Sequence, residues 1–256
     1  MYLDVVDLMA FYDQPLGRLA HARIGGRLEA IWPDAAGDRL LGVGFATPYL
    51  EHYLGSAERV AAFMPAAQGV MNWPRDGRSA TALVEETMLP LADASFDKAL
   101  VVHSLENTGN PQELMREIWR VLAPGGRIVI IVPNRRGLWS RVETTPLGYG
   151  RPFSRGQLTQ LLRDSLFVPN TWSTALHVPP FSRRWLIRSA GAWDRIGARM
   201  GSAFAGVLLV EATKQLYQGL TVKSRRRLVP SFRPVLLPQR SSVDREAVRR
   251  LVRAIR

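Results

Sequence analysis

The chain has 256 residues, 46% hydrophobic and 22% charged, a balance that fits one sizeable globular domain with a small appendage and is too apolar for a disordered protein. Its lack of cysteine excludes disulfides, thiolate metal sites and cysteine nucleophiles, and agrees with a reducing compartment. The net charge of +12 is uneven: residues 218–256 hold eleven Lys/Arg against Asp244 and Glu246, so +9 sits there and +3 in residues 1–217. No apolar run approaches the roughly 20 residues of a membrane-spanning helix. The start of the chain, with Asp4 and Asp7, lacks the basic opening of a signal peptide, so the expectation is a cytosolic protein. The histidines, His21, His52, His103 and His177, form no His-x-x-x-His pair, and no metal site is expected.

In residues 4–32 the spaced apolar positions Val5, Leu8, Met9 and Tyr12, then Leu19, Ile24, Leu28 and Ile31, predict two short helices, broken by Pro15 and Gly25-Gly26. Short apolar runs follow at 39–43, 59–64, 80–84, 98–102 and 127–132, and runs apolar on both faces suggest buried parallel strands. Between the last two, residues 111–122 carry one stripe (Leu114, Ile118, Val121, Leu122); Pro111 suits the start of that helix, and Pro124-Gly125-Gly126 stops it and turns into the next strand. Repeated strand–helix alternation means right-handed crossovers and a doubly wound α/β sheet. Further on, the pattern predicts a helix over 157–163, a strand over 170–176, a helix over 183–200 with Leu186, Ile187, Trp193 and Ile196 on its apolar side, and a last strand over 205–213. After Tyr217 it gives way to Arg225-Arg226-Arg227 and to Pro230, Pro234 and Pro238, an extended linker. Val248, Leu251, Val252 and Ile255 then share one face of a short basic amphipathic helix begun by Ser241 or Ser242. The expected division is an N-terminal helical cap over 1–37, the α/β domain over 38–217, and the basic linker and helix over 218–256.

Ligands of open parallel sheets bind beyond the carboxyl ends of the strands. After the first strand stands Gly42-Val43-Gly44-Phe45-Ala46-Thr47-Pro48; glycines there let backbone approach a ligand, or serve tight strand-to-helix packing. More specific is a linked block. It runs Glu85-Glu86-Thr87-Met88-Leu89-Pro90-Leu91-Ala92-Asp93-Ala94-Ser95-Phe96-Asp97, then His103-Ser104-Leu105-Glu106-Asn107, then Glu117-Ile118-Trp119-Arg120-Val121-Leu122-Ala123-Pro124-Gly125-Gly126.

In order and spacing this block resembles the type 11 branch of the class I S-adenosylmethionine-dependent methyltransferases, over about residues 38–175. The resemblance implies a Rossmann-like, mostly parallel seven-stranded methyltransferase sheet with N-terminal helices, followed here by the basic tail. It implies S-adenosylmethionine as cofactor and S-adenosylhomocysteine as product. It places Gly42, Gly44 and Thr47 in the cofactor loop, Met64 at the end of the second strand, Glu85 at the acid that meets the adenine amino group, and His103 beside the methyl donor. His103 is then either a general base or a pocket wall. Glu85 has a structural alternative as the cap of the next turn.

Departures from the family pattern weaken the expected pocket. Gly42 stands at the loop's acid, and Ala46 and Pro48 at its second and third glycines, leaving Gly44 alone. The second strand ends in Met64-Pro65, without the acid that takes both ribose hydroxyls. Loss of such a charge-assisted contact costs about 1.5–3 kcal/mol, roughly ten- to a hundred-fold in affinity, with Gln68 or main-chain groups as substitutes. On the acceptor side, Tyr12, Arg135, Tyr149 and Arg151 are candidate contacts to an anionic or planar substrate, or else the last three belong to a solvated loop over Trp139. The implied function is transfer of a methyl group to a small or medium-sized acceptor. The alternatives are a methyltransferase-like protein without turnover, acting as a cofactor sensor or scaffold, and an enzyme associated with nucleic acid. The basic tail has three readings: nucleic-acid binding, an anionic membrane surface or protein partner, and a solvated terminus.

Overall fold

A computed structural model describes residues 3–181, 191, 193 and 204–216. Apart from residues 191 and 193, the helix expected over 183–200 lies outside the described residues, as do the proline-spaced linker and the basic terminal helix.

Two helices, α1 (Val5–Asp13) and α2 (Pro15–Ile31), precede strands β1 (Arg39–Gly44), β2 (Arg59–Pro65), β3 (Thr81–Val84) and β4 (Phe96–Val102), with the four-residue helix α3 (Thr47–Leu50) after β1. Helix α4 (Pro111–Val121), strand β5 (Leu122–Pro133), helix α5 (Arg155–Asp164) and strands β6 (Phe167–Ala175) and β7 (Val207–Lys214) follow. The strands form one sheet in the order β3-β2-β1-β4-β5-β7-β6. Neighbours from β3 to β5 pair in parallel, whereas β7 runs antiparallel to both β5 and β6. Among the described residues no helix is long and apolar enough to cross a membrane.

The run of apolar residues in each central strand is divided between two faces, because successive side chains point to opposite sides. Leu40, Leu100, Val102, Val129 and Ile131 pack on one side against Leu16, Ala20, Ile24 and Leu28 of α2. Leu41, Val43, Val101, Ile128 and Ile130 pack on the other against Leu114 and Ile118 of α4 and Leu158 and Leu162 of α5. A sheet covered on both faces needs such uninterrupted apolar strands.

Two expectations change. Gly25-Gly26 does not break α2, which runs for 17 residues: both glycines face open space, and burial of Ile24 and Leu28 offsets their poor helix propensity. Nor is Pro124-Gly125-Gly126 the turn into the next strand. α4 passes directly into β5 at Leu122, and the register then jumps from Phe96↔Leu122 to Lys98↔Arg127, so these residues form a bulge within β5.

The acid-bearing motif has a structural explanation. Glu117 on α4 accepts the Leu89 N–H at 3.0 Å and a 2.8 Å bond from Arg120, whose guanidinium also reaches the Leu89 and Leu91 carbonyls and Asp93. The Arg120 bond is the main reason the Glu117 carboxyl lies below its ordinary range. At the other end of the loop, Asp97 takes a two-pronged bond from Arg39, which lowers its pKa likewise. The first set of bonds ties the segment between β3 and β4 to α4, and the second joins the starts of β1 and β4.

Candidate functional site

From β1 the sheet is built outward through β2 and β3, and the chain then returns to the other side of β1 with β4. The switch point is therefore between β1 and β4, and the carboxyl ends of these strands are where a ligand belongs.

Both glycines of the first turn are occupied by packing. A Cβ on Gly42 would stand 2.5 Å from Leu50 Cδ1 and 3.0 Å from Ala46 Cβ. Gly44 has φ +79°, and a Cβ there would stand 2.2 Å from the Val102 carbonyl oxygen and 2.7 Å from Ser104 Cβ. Tight packing is enough to account for a missing side chain at both positions, whichever role the backbone of the turn has toward a ligand. Thr47 is buried, its hydroxyl 3.9 Å from Met71 Sδ.

Above the end of β2 the hollow is taken up by the protein's own side chains, while a cavity of about 360 Å³ stays open beside Phe45 and Thr47. Met64 at the end of β2 is fully buried, and with Phe45, Val5 and Leu8 it forms one apolar cluster; the last two belong to α1. The Val5 N–H donates to the Gln68 carbonyl at 2.8 Å, and the Tyr12 ring stacks on Phe45 with centroids 5.6 Å apart. An apolar spacing in 5–12 was visible in the sequence, but periodicity specifies that a face is covered and not by what.

Tyr12 and His103, 91 residues apart, meet here, with the phenol oxygen 2.9 Å from His103 Nε2 and 3.1 Å from the Tyr49 hydroxyl. His103 is buried and adopts φ +51°, a conformation that side-chain-bearing residues rarely hold and that concentrates at functional sites. Its Nδ1 lies 3.3 Å from Glu106 Oε1. This is close enough for attraction, yet poorly aligned for a hydrogen bond, since both Glu106 oxygens are buried without a partner. The geometry lets His103 Nε2 bond the Tyr12 hydroxyl while Nδ1 faces the carboxylate. Burial is the chief cause that raises both phenols well above their ordinary pKa; the Glu106 charge adds to the shift at Tyr12, and the bond to Tyr49 opposes it. Both hydroxyls therefore stay protonated at neutral pH.

Around the same turn Gln68 Oε1, Ser104 Oγ and Asn107 Oδ1 are also buried without a hydrogen-bond partner. The amide nitrogens of Gln68 and Asn107 both donate to the His103 carbonyl, at 3.0 and 3.3 Å, so these orphaned atoms surround one residue. Each buried unsatisfied group costs about 1–3 kcal/mol, and such groups ask for a partner. Gln68 was readable as a substitute for the missing ribose acid, whereas the burial of Glu106 and Asn107 Oδ1 had no sequence signal beyond the motif.

The remaining expected residues scatter. Glu85 is exposed at the end of β3, where the Thr87 hydroxyl donates to it at 3.3 Å. Arg135 and Arg151 are exposed, and the Arg151 N–H bonds the Glu106 carbonyl at 2.7 Å. Tyr149 lines a cavity of about 370 Å³ between α1 and residues 143–149, with Asp7, Phe11, Gln14, Glu143 and Pro146 among its walls. Tyr12 and Thr47 line another of about 360 Å³ with Met9, Phe45, Met71 and Trp73. The four expected acceptor contacts thus do not converge on one space.

Residues 40–130 match the sequence profile of the family described as methyltransferase domain. An uncharacterised protein of Mycobacterium tuberculosis is 28% identical over 216 residues, covering 79% of this chain and 70% of its own length. Among solved structures, an S-adenosylmethionine-dependent methyltransferase of Thermotoga maritima, described as a possible histamine N-methyltransferase, aligns with TM-score 0.54 and 20% identity over 78% of this chain and 91% of its own. Geranyl diphosphate C-methyltransferase of Streptomyces coelicolor, solved with S-adenosylhomocysteine, aligns with TM-score 0.52 and 19% identity over 71% and 76% of the two chains. The resemblance read from the motif block holds for the domain and for the fold.

Proposed function

We propose that this protein is an S-adenosylmethionine-dependent methyltransferase acting on a small or medium-sized acceptor, in the reducing setting that a cysteine-free chain suits. One observation carries the reading: buried acceptor atoms of Gln68, Ser104, Glu106 and Asn107 gather at the switch point of a methyltransferase-type sheet. A ligand bearing an ammonium group, hydroxyls and an amino group supplies the donors these atoms lack, so the chemistry of the site fits the cofactor. Gln68, Ser104 and the Gly44 turn would hold it, with Glu85 toward the adenine. The bound sulfonium supplies an already activated methyl group. The protein's own task is then to position the acceptor and exclude water, which needs no conspicuous base. His103, polarised by Glu106, is the group able to hold a proton beside the reacting centre.

Titration calorimetry of the full chain with S-adenosylmethionine and S-adenosylhomocysteine tests this; no heat of binding at millimolar ligand overturns it. Weaker binding by a Glu85→Ala variant supports the adenine contact, and unchanged binding removes it. The partly filled hollow favours a second reading, a methyltransferase-like partner protein without turnover. A nucleic-acid role for the basic tail is a further extension of the first reading, supported by the charge of residues 218–256.

A further inference from the structure

We infer that α1 is a built-in competitor of the methyl donor: it docks in the hollow over the ends of β1, β2 and β4, so the donor binds only when α1 leaves. The inference rests on the methyltransferase reading above. Val5 and Leu8 are 6% and 1% exposed, and with the buried Met64 and Phe45 they cover the end of β2 beside the switch point, where the sheet's topology places a ligand.

The occupancy is imperfect. α1 contributes apolar side chains and one phenol, so its docking leaves Gln68 Oε1, Ser104 Oγ, Asn107 Oδ1 and both Glu106 carboxylate oxygens without a hydrogen-bond partner, although His103 Nδ1 stands near the last. A ligand rich in donors satisfies atoms that the helix cannot, which gives it the means to displace α1. The helix is also suited to leave. It has nine residues, of which Val5, Leu8 and Phe11 are buried, and helices this short are marginal unless docked. Its opening is a local event, cheaper than unfolding the sheet. The Val5 N–H to Gln68 bond and the bonds of the Tyr12 hydroxyl to His103 and Tyr49 are polar ties to be broken.

A staple tests the competition in the full chain. A Cβ built on Gly69 lies 3.9 Å from Val5 Cβ, within the roughly 3.5–4.5 Å of a disulfide, and the chain has no cysteine of its own to interfere; at φ +85° a cysteine at 69 is strained, so a measurement on the wild type accompanies it. The double variant Val5→Cys/Gly69→Cys is titrated with S-adenosylhomocysteine before and after reduction. The expected result is binding at least roughly tenfold weaker in the oxidised form, because the competent fraction is removed. Hydrogen exchange on the wild-type protein reads the same event without substitution: saturating ligand accelerates exchange of amides in residues 5–13. This measurement decides alone if the variant does not fold. Equal binding by both redox forms, or exchange in 5–13 that ligand leaves unchanged, overturns the competition while the methyltransferase reading stands, with the donor seated elsewhere. Absence of binding at millimolar ligand by both the wild type and the reduced variant overturns both.

Discussion

Gly44→Ala separates a glycine kept for packing from one kept for a ligand. At φ +79° an alanine carries the left-handed penalty of about 1–2 kcal/mol. Its Cβ would also stand 2.2 Å from the Val102 carbonyl oxygen, a backbone atom held in the sheet, so β1 and β4 must part at the cost of overpacking, about 1–3 kcal/mol. Lower entropy of the unfolded chain returns about 0.4–1 kcal/mol. The net loss is about 1–4.5 kcal/mol, and its midpoint of about 3 kcal/mol corresponds to a fall in Tm of roughly 6–12 °C for a domain of this size. Thermal unfolding followed by circular dichroism measures it, with urea unfolding as a second gauge. A variant that melts within about 2 °C of the wild type yet loses S-adenosylhomocysteine binding would refute the packing argument and return Gly44 to a ligand role.

Other consequences are open to measurement. Ile118→Ala, at a fully buried position of α4, lowers stability by about 2–5 kcal/mol in denaturant titrations, and a loss under about 1 kcal/mol would mean that the site collapses around the gap. The lowered pKa values of Asp97 and Glu117 mean that their contribution is complete above the ordinary carboxyl values of 3.8 and 4.5 and disappears as pH falls through the lower folded-state values. Asp97→Asn and Glu117→Gln should therefore flatten the acid limb of the stability profile below about pH 4.5 and leave its shape near neutrality unchanged; an acid limb as steep as the wild type's contradicts the assignment. If the tail binds DNA, replacing Arg225, Arg226 and Arg227 by Gln reduces the slope of log affinity against log salt by about 2–3, since each phosphate contact contributes about 0.9. An unchanged slope removes these arginines from that role.

How the chain divides into strands and helices was legible in its sequence, because apolar period and turn residues are local. The expected runs at 39–43, 59–64, 98–102 and 127–132 fall within β1, β2, β4 and β5, and the stripe of 111–122 is α4 within a residue. Where a local signal had two outcomes, tertiary contact chose. Packing on the sheet carried α2 through Gly25-Gly26, and pairing with β4 made Pro124-Gly125-Gly126 a bulge.

The motif block, likewise a matter of order and spacing, was enough to indicate the methyltransferase sheet. Occupancy of the site was decided only in three dimensions. Nothing near Tyr12 in sequence announces His103, and nothing near Met64 announces Val5 and Leu8, because an apolar stripe encodes the need for burial and leaves its partner to be settled by the folded chain. The same limit applied to Gly42 and Gly44: a glycine records that space is short, and only the folded chain shows that a side chain there would meet Leu50, Ala46 and the Val102 carbonyl.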